Sequence, residues 1–210
     1  MSKESKMILG IAALIIAAIV ILISFVNSNE ADPATIMQKL IREDSRRVGS
    51  GAVQVVEFGD YQCPACAQVH PDVKKLKDEY KDDITFVYRN FPLPSHQNAM
   101  PAAEAAEAAG TQGKFWEMHN ILFETQAQWS SLADPTSIFE QFAQELELDT
   151  DKFKKDITSK ANKTRISTDQ SDGYAVGVSG TPTFFINGVK QSNFDYESLK
   201  KAIEAEVKQK

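Results

Sequence analysis

The chain has 210 residues, 42% hydrophobic and 25% charged, and its 23 Lys and Arg against 29 Asp and Glu leave a formal charge of −6. That balance excludes a basic nucleic-acid binder, a collagen-like repeat and a disordered acidic tail. Two cysteines are too few for a disulfide-stapled miniature or a four-thiolate zinc site.

Met7 to Val26 is an uncharged run interrupted only by Gly10 and Ser24. At about 1.5 Å per residue, a helix of this length crosses the roughly 30 Å apolar core of a bilayer. A cleaved secretory signal is the competing reading, although the apolar part of such signals is usually only about 7–15 residues long. Lys3 and Lys6 precede the run, and no Lys or Arg occurs between Asn27 and Gln38. The positive-inside bias therefore makes residues 1–6 a cytoplasmic tail and 7–26 a single-pass transmembrane anchor, with the remainder outside the cytoplasm.

Residues 27–52 read as a linker with an amphipathic helix between Ala34 and Glu43, in which Ile36, Met37, Leu40 and Ile41 share a face. That helix either docks on the domain or forms a stalk. Gly49-Ser50-Gly51 marks a loop. Val53 to Phe58 is a buried strand, and Pro64 suits the first turn of a helix running through Val69, Val73, Leu76 and Tyr80. Ile84 to Arg89 is the next strand, so this stretch is a βαβ unit with a parallel sheet. Beyond Pro92 and Pro94 the apolar spacing becomes helical throughout: Ala102 to Ala109, then Phe115, Trp116, His119, Leu122 and Phe123, then Ile138 to Leu146 behind Asp134-Pro135, then Phe153 and Ile157 behind Asp149. Thr183 to Ile186 returns to strand, Asn187-Gly188 predicts a hairpin toward Val189, and a last helix carries Tyr196, Leu199, Ile203 and Val207. Two strand-bearing parts, 53–94 and 176–207, thus flank a helical insertion at 95–175.

Both cysteines lie in Cys63-Pro64-Ala65-Cys66, after a strand and at the head of a helix. Unpaired amides and the positive dipole end of the helix favour a thiolate on Cys63, below the ordinary thiol value of about 8.5. One turn separates the sulfurs, so they can form a disulfide or open to a dithiol, the first exposed and exchanging, the second resolving. Pro64 fixes the turn without sacrificing a needed amide. A zinc site with His70 and a purely structural disulfide compete with this redox reading, but no second C-x-x-C exists and so short a loop constrains little entropy. His70 itself reads as a surface or packing residue.

Glu57 interrupts the strand before the cysteines. If buried, its raised pKa suits it to exchange a proton with Cys66; the alternative is an edge strand with Glu57 facing water. Asp60 reads as exposed. In Gly180-Thr181-Pro182-Thr183, either a cis Thr181–Pro182 bond turns the Thr181 backbone toward an extended substrate, or the segment is an ordinary turn.

These motifs resemble the DsbA family of thiol–disulfide oxidoreductases, and the membrane-anchored bacterial type in particular. The similarity spans Val55 to Cys66, Arg89 to Leu93 with His96, Gln112 to His119, and Gly177 to Gly188. The resemblance implies a thioredoxin-like fold with a helical insertion, Cys63 as nucleophile, Cys66 as resolving thiol, and Thr181-cis-Pro182 as the substrate-docking element. It implies exported thiol-containing client proteins, re-oxidation by a DsbB-like quinone-linked membrane oxidase, and no cofactor of the chain's own. One departure stands out: strongly oxidising members often carry His where this chain has Ala65. A reductase or isomerase of the same fold, such as one serving haem-protein maturation, and a non-enzymatic module binding metal or client stay open beside the oxidase.

Overall fold

A computed structural model describes residues 33–209. The expected cytoplasmic tail and anchor lie outside the described residues. Among the described residues, no helix is long and apolar enough to cross a membrane.

From Met37 onward the chain packs as one compact unit. In chain order the elements are α1 (Pro33–Leu40), β1 (Arg46–Val48), β2 (Val53–Gly59), α2 (Pro64–Glu79) and β3 (Ile84–Asn90). Six helices follow: α3 (Ala99–Gly110), α4 (Phe115–Glu124), α5 (Gln126–Trp129), α6 (Thr136–Glu145), α7 (Thr150–Ile157) and α8 (Lys160–Ala175). β4 (Thr183–Ile186), β5 (Val189–Lys190) and α9 (Tyr196–Val207) complete the chain. The five-stranded sheet has the order β1-β3-β2-β4-β5. β2 and β3 are parallel, from Val53↔Ile84 to Gly59↔Asn90, and β4 is antiparallel to β2 with Glu57 opposite Phe184.

The two central strands are covered on both faces, which is why they read as nearly continuous apolar runs and not as alternation. α9 packs on α2 and β2, and α8 packs on β3. The close approach of α8 uses Gly173: a Cβ there would lie 2.8 Å from the Phe91 ring and 3.0 Å from Phe58. At the Asn187-Gly188 turn both residues have positive φ, 45° and 85°, as a two-residue hairpin of the primed type requires.

Several expectations change. The part of the linker just before Gly49 forms an edge strand, β1, antiparallel to β3; its Arg-Arg-Val sequence carries no alternation, because pairing and not burial holds it. The amphipathic helix ends at Leu40, short of Glu43. Its end is docked and is no stalk: Leu40 is fully buried, and Arg89 Nη1 donates to the carbonyls of Lys39 (2.6 Å) and Leu40 (2.7 Å). α2 runs on through Pro71. Asp149 caps α7 as predicted, accepting from the Lys152 amide, whereas Asp134 accepts from the Thr136 amide one position ahead of the cap.

Candidate active site

β2 ends at Gly59, the chain turns through Asp60 to Gln62, and Cys63 caps the N-terminus of α2 with an extended backbone (φ −69°, ψ 122°). The Cys63 amide donates to the Asp60 carbonyl at 3.0 Å, closing the turn. Pro64 opens the helix on its exposed side, and Ala65 is half-buried. The two sulfurs are free thiols. Cys66 is fully buried and Cys63 only 6% exposed, so the first sulfur sits recessed where an open one was expected. The cause is the loop before β4: the Thr181–Pro182 bond is cis, and the Cys63 thiol donates to the Thr181 carbonyl across 3.3 Å. Thr181 and Cys63, far apart in sequence, are therefore brought into contact, with Pro182 buried beside them.

The sulfurs are driven apart in acidity. Cys63 is lowered from 9.0 to about 5: the Cys66 thiol donates to its thiolate, burial opposes, and the Thr181 side chain and the Cys66 and Ala65 amides add further donors. The helix-end amides anticipated from sequence thus act, but behind a larger contribution from the neighbouring thiol. The buried Thr181 hydroxyl oxygen has no hydrogen-bond partner in this structure. Cys66 is pushed well above the ordinary value, first by burial, then by the Cys63 hydrogen bond and the charge of Glu57.

Glu57 is 3% exposed on the central strand, which excludes the water-facing edge reading. Burial raises its pKa to about 8, Lys77 pulls it down, and the Cys63 charge pushes it up. Lys77 is a site residue that the sequence reading missed. Its Nζ lies 5.0 Å from the ring centroids of both Phe86 and Trp116, and burial lowers its pKa against the pull of Glu57. The signal was its spacing, one turn beyond Val73 on the core-facing side of α2.

Asp60 corrects a second expectation. It is 1% exposed, and its carboxylate accepts from the amides of Gln62 (2.7 Å) and Leu93 (2.9 Å) and contacts His96 Nδ1 at 2.7 Å. A free turn carboxylate would face water; this one is covered because the segment after β3 folds over the turn. His70 is a packing residue, stacked on Phe123 and edge-on to His119, whose Nδ1 lies 3.1 Å from Tyr61 Oη. Burial lowers the pKa of both imidazoles, that of His70 to about 4. Among the described residues, no group of three or more His, Cys, Asp and Glu is placed to hold a metal ion.

A family model described as thioredoxin matches residues 44–205. Among curated proteins, the "Na(+)/H(+) antiporter NhaA 1" of Salinispora arenicola is 38% identical over 77% of this chain, which spans only 24% of that protein's length. The "Probable disulfide bond formation protein D" of Bacillus cereus is 32% identical over 99% of this chain and 100% of its own. Among solved structures, oxidised BdbD from Bacillus subtilis superposes with a TM-score of 0.70 at 26% identity, covering 78% of this chain and 93% of that one.

Proposed function

This chain belongs to the thioredoxin family and, within it, to the DsbA-like thiol–disulfide oxidoreductases, and from that premise we propose that it introduces disulfides into exported proteins from the outer side of the cytoplasmic membrane. In this reading residues 7–26 anchor the chain, residues 53–94 and 176–207 form the thioredoxin-like domain, and residues 95–175 are its helical insertion. The observation that carries it is the split between two sulfurs one helical turn apart, Cys63 acidic and Cys66 not.

The reaction starts from the Cys63–Cys66 disulfide. A client thiolate attacks the Cys63 sulfur, the Cys63–Cys66 bond breaks, and Cys66 leaves with the electron pair and takes a proton from the Glu57 carboxyl. The client's second thiolate then attacks the client sulfur of the mixed disulfide, and Cys63 departs as a thiolate. Two client thiols become one client disulfide, and two electrons reside on the enzyme as one thiolate and one thiol. The low pKa of Cys63 makes it the better leaving group in this second step. Thr181 and Pro182 dock the client's extended backbone beside Cys63. A DsbB-like quinone-linked membrane oxidase withdraws the two electrons and restores the disulfide.

Cys66→Ser in cells is expected to accumulate client-linked mixed disulfides on non-reducing gels, and Cys63→Ser none. If both variants trap nothing and keep full activity, the assignment fails. Equilibration of the purified protein with glutathione separates an oxidase from a reductase: a potential near that of thioredoxin, about −270 mV, excludes net oxidation of clients.

A further inference from the structure

The turn that carries Cys63 is held from outside itself, by the helical segment after β3. Gln126, the first residue of the short helix α5, places one side-chain nitrogen, Nε2, 2.7 Å from the Tyr61 carbonyl and 3.0 Å from the Cys63 carbonyl. Both partners are carbonyl oxygens, so the donor end of the amide must face them; the oxygen end would meet two acceptors. Gln62, between those carbonyls, is gripped in turn. Its Nε2 donates to the Ser130 carbonyl (2.7 Å), and its Oε1 accepts from the Asn98 amide (2.5 Å). The segment that supplies these groups is itself fixed: Trp129 is fully buried, donates to the Leu122 carbonyl at 3.0 Å and packs edge-on against Phe139.

We propose that Gln126 is a positioning residue for the exchange reaction, a two-pronged amide clamp that sets the Cys63 peptide and thereby the direction of its sulfur. The Cys63 carbonyl already accepts from the Ala67 amide at 3.1 Å, so its second lone pair is taken by Gln126 and the peptide plane cannot rotate freely. In the orientation so held the sulfur meets the Thr181 carbonyl at 3.3 Å, and hydrogen bonds weaken steeply when the angle opens. The turn is thus held in register with the helical segment by a donor on neither the Cys-Pro-Ala-Cys motif nor the loop before β4. This rests on Cys63 being the exchanging sulfur.

The test uses the reduced full chain in detergent. Gln126→Met keeps the volume and removes the donor, and Gln126→Ala removes both. The pH dependence of thiolate absorbance and of Cys63 alkylation is followed, with far-ultraviolet circular dichroism to verify folding. Both variants are expected to move Cys63 ionisation to higher pH and to slow alkylation at mildly acidic pH by about 3- to 10-fold, the span of one lost hydrogen bond. The glutathione equilibrium should shift by a similar factor. Folded variants that both ionise as wild type overturn the proposal, and so does a shift in Gln126→Ala alone, which would mark a packing role. A wild-type Cys63 that titrates as an ordinary thiol overturns the active-site reading and this proposal together; an acidic wild-type sulfur with unchanged variants overturns the clamp only.

Discussion

Replacing Cys66 by alanine tests the origin of the Cys63 acidity. The first cause of its fall from 9.0 to about 5 is the hydrogen bond donated by the Cys66 thiol, ahead of the Thr181 side chain and the helix-end amides. A hydrogen bond to a charged acceptor is worth about 1.5–3 kcal/mol, and one pKa unit corresponds to about 1.4 kcal/mol. Cys66→Ala should therefore raise the Cys63 pKa by about one to two units, whereas Cys66→Ser, which keeps a hydroxyl donor, should raise it by less. The assay is alkylation of the single remaining thiol across pH, with masses read at each point. In the wild type at pH 7, a pKa of about 5 makes Cys63 about 99% thiolate, against about 1% for a thiol at 9.0. Folding lowers this pKa, so the stabilisation of the reduced protein is complete above about pH 9 and lost as pH falls through about 5. At pH 7 it amounts to at most about 2.7 kcal/mol, of which screening by nearby solvent removes a part. In redox terms that ceiling is about 60 mV toward the oxidising side. If Cys63 in Cys66→Ala still ionises near pH 5, the neighbouring thiol is not the leading donor and this account of the acidity is wrong.

Glu57→Gln should flatten the pH dependence of both exchange and stability. Because burial raises the Glu57 pKa from 4.5 to about 8, the folded state loses stability as pH climbs between those values, by up to about 1.4 kcal/mol per pH unit. In denaturant titrations the variant should gain on wild type from pH 5 to 8, and a constant difference would place the Glu57 charge in contact with water. Arg89→Ala should cost about 3–5 kcal/mol of unfolding free energy. It removes the one cationic partner of buried Asp169 (Nε, 2.6 Å), which keeps only the Asn90 donors, takes one of three cations from Asp172 (Nη2, 2.9 Å), which keeps Lys39 and Arg42, and leaves the Lys39 and Leu40 carbonyls facing an empty pocket. Arg89→Lys should recover little of that, since an ammonium cannot span the four acceptors; a loss under about 1 kcal/mol in Arg89→Ala would show that water replaces the guanidinium.

The sequence exposes whatever depends on neighbours along the chain. The β2–α2–β3 unit follows from two apolar runs and a proline at a helix start, and the Asn187-Gly188 hairpin from a backbone requirement that few other residue pairs meet. The burial of Glu57 is legible because a strand with Val56 and Phe58 beside it has both faces covered. What escapes is whatever a remote segment decides. Asp60 reads as exposed because turn carboxylates ordinarily are; only the Leu93 amide and His96, more than thirty residues on, make it buried. β1 escapes because three residues held by pairing with β3 carry no hydrophobic period. Lys77 was visible in principle, as a lysine on the inward stripe of α2, but a long side chain at such a position usually carries its charge out to water.

The same division runs through the site. A cysteine at the head of a helix is acidified by local amides in any fold, so the motif alone predicts a reactive sulfur. Two other contributions come from far along the chain: the Thr181 loop that faces Cys63, and the Gln126 amide that holds its carbonyl. Neither spacing nor composition announces them, and each can change without altering Cys63-Pro64-Ala65-Cys66. One departure from the family pattern is local, Ala65 in place of a histidine. The fall of the Cys63 pKa does not depend on the side chain at that position, because its first cause is the Cys66 thiol, and Ala65 enters only through its backbone amide. A chain with this motif can therefore hold a strongly acidic thiolate without the histidine, provided the helical segment and the loop before β4 keep the sulfur aimed at its donors.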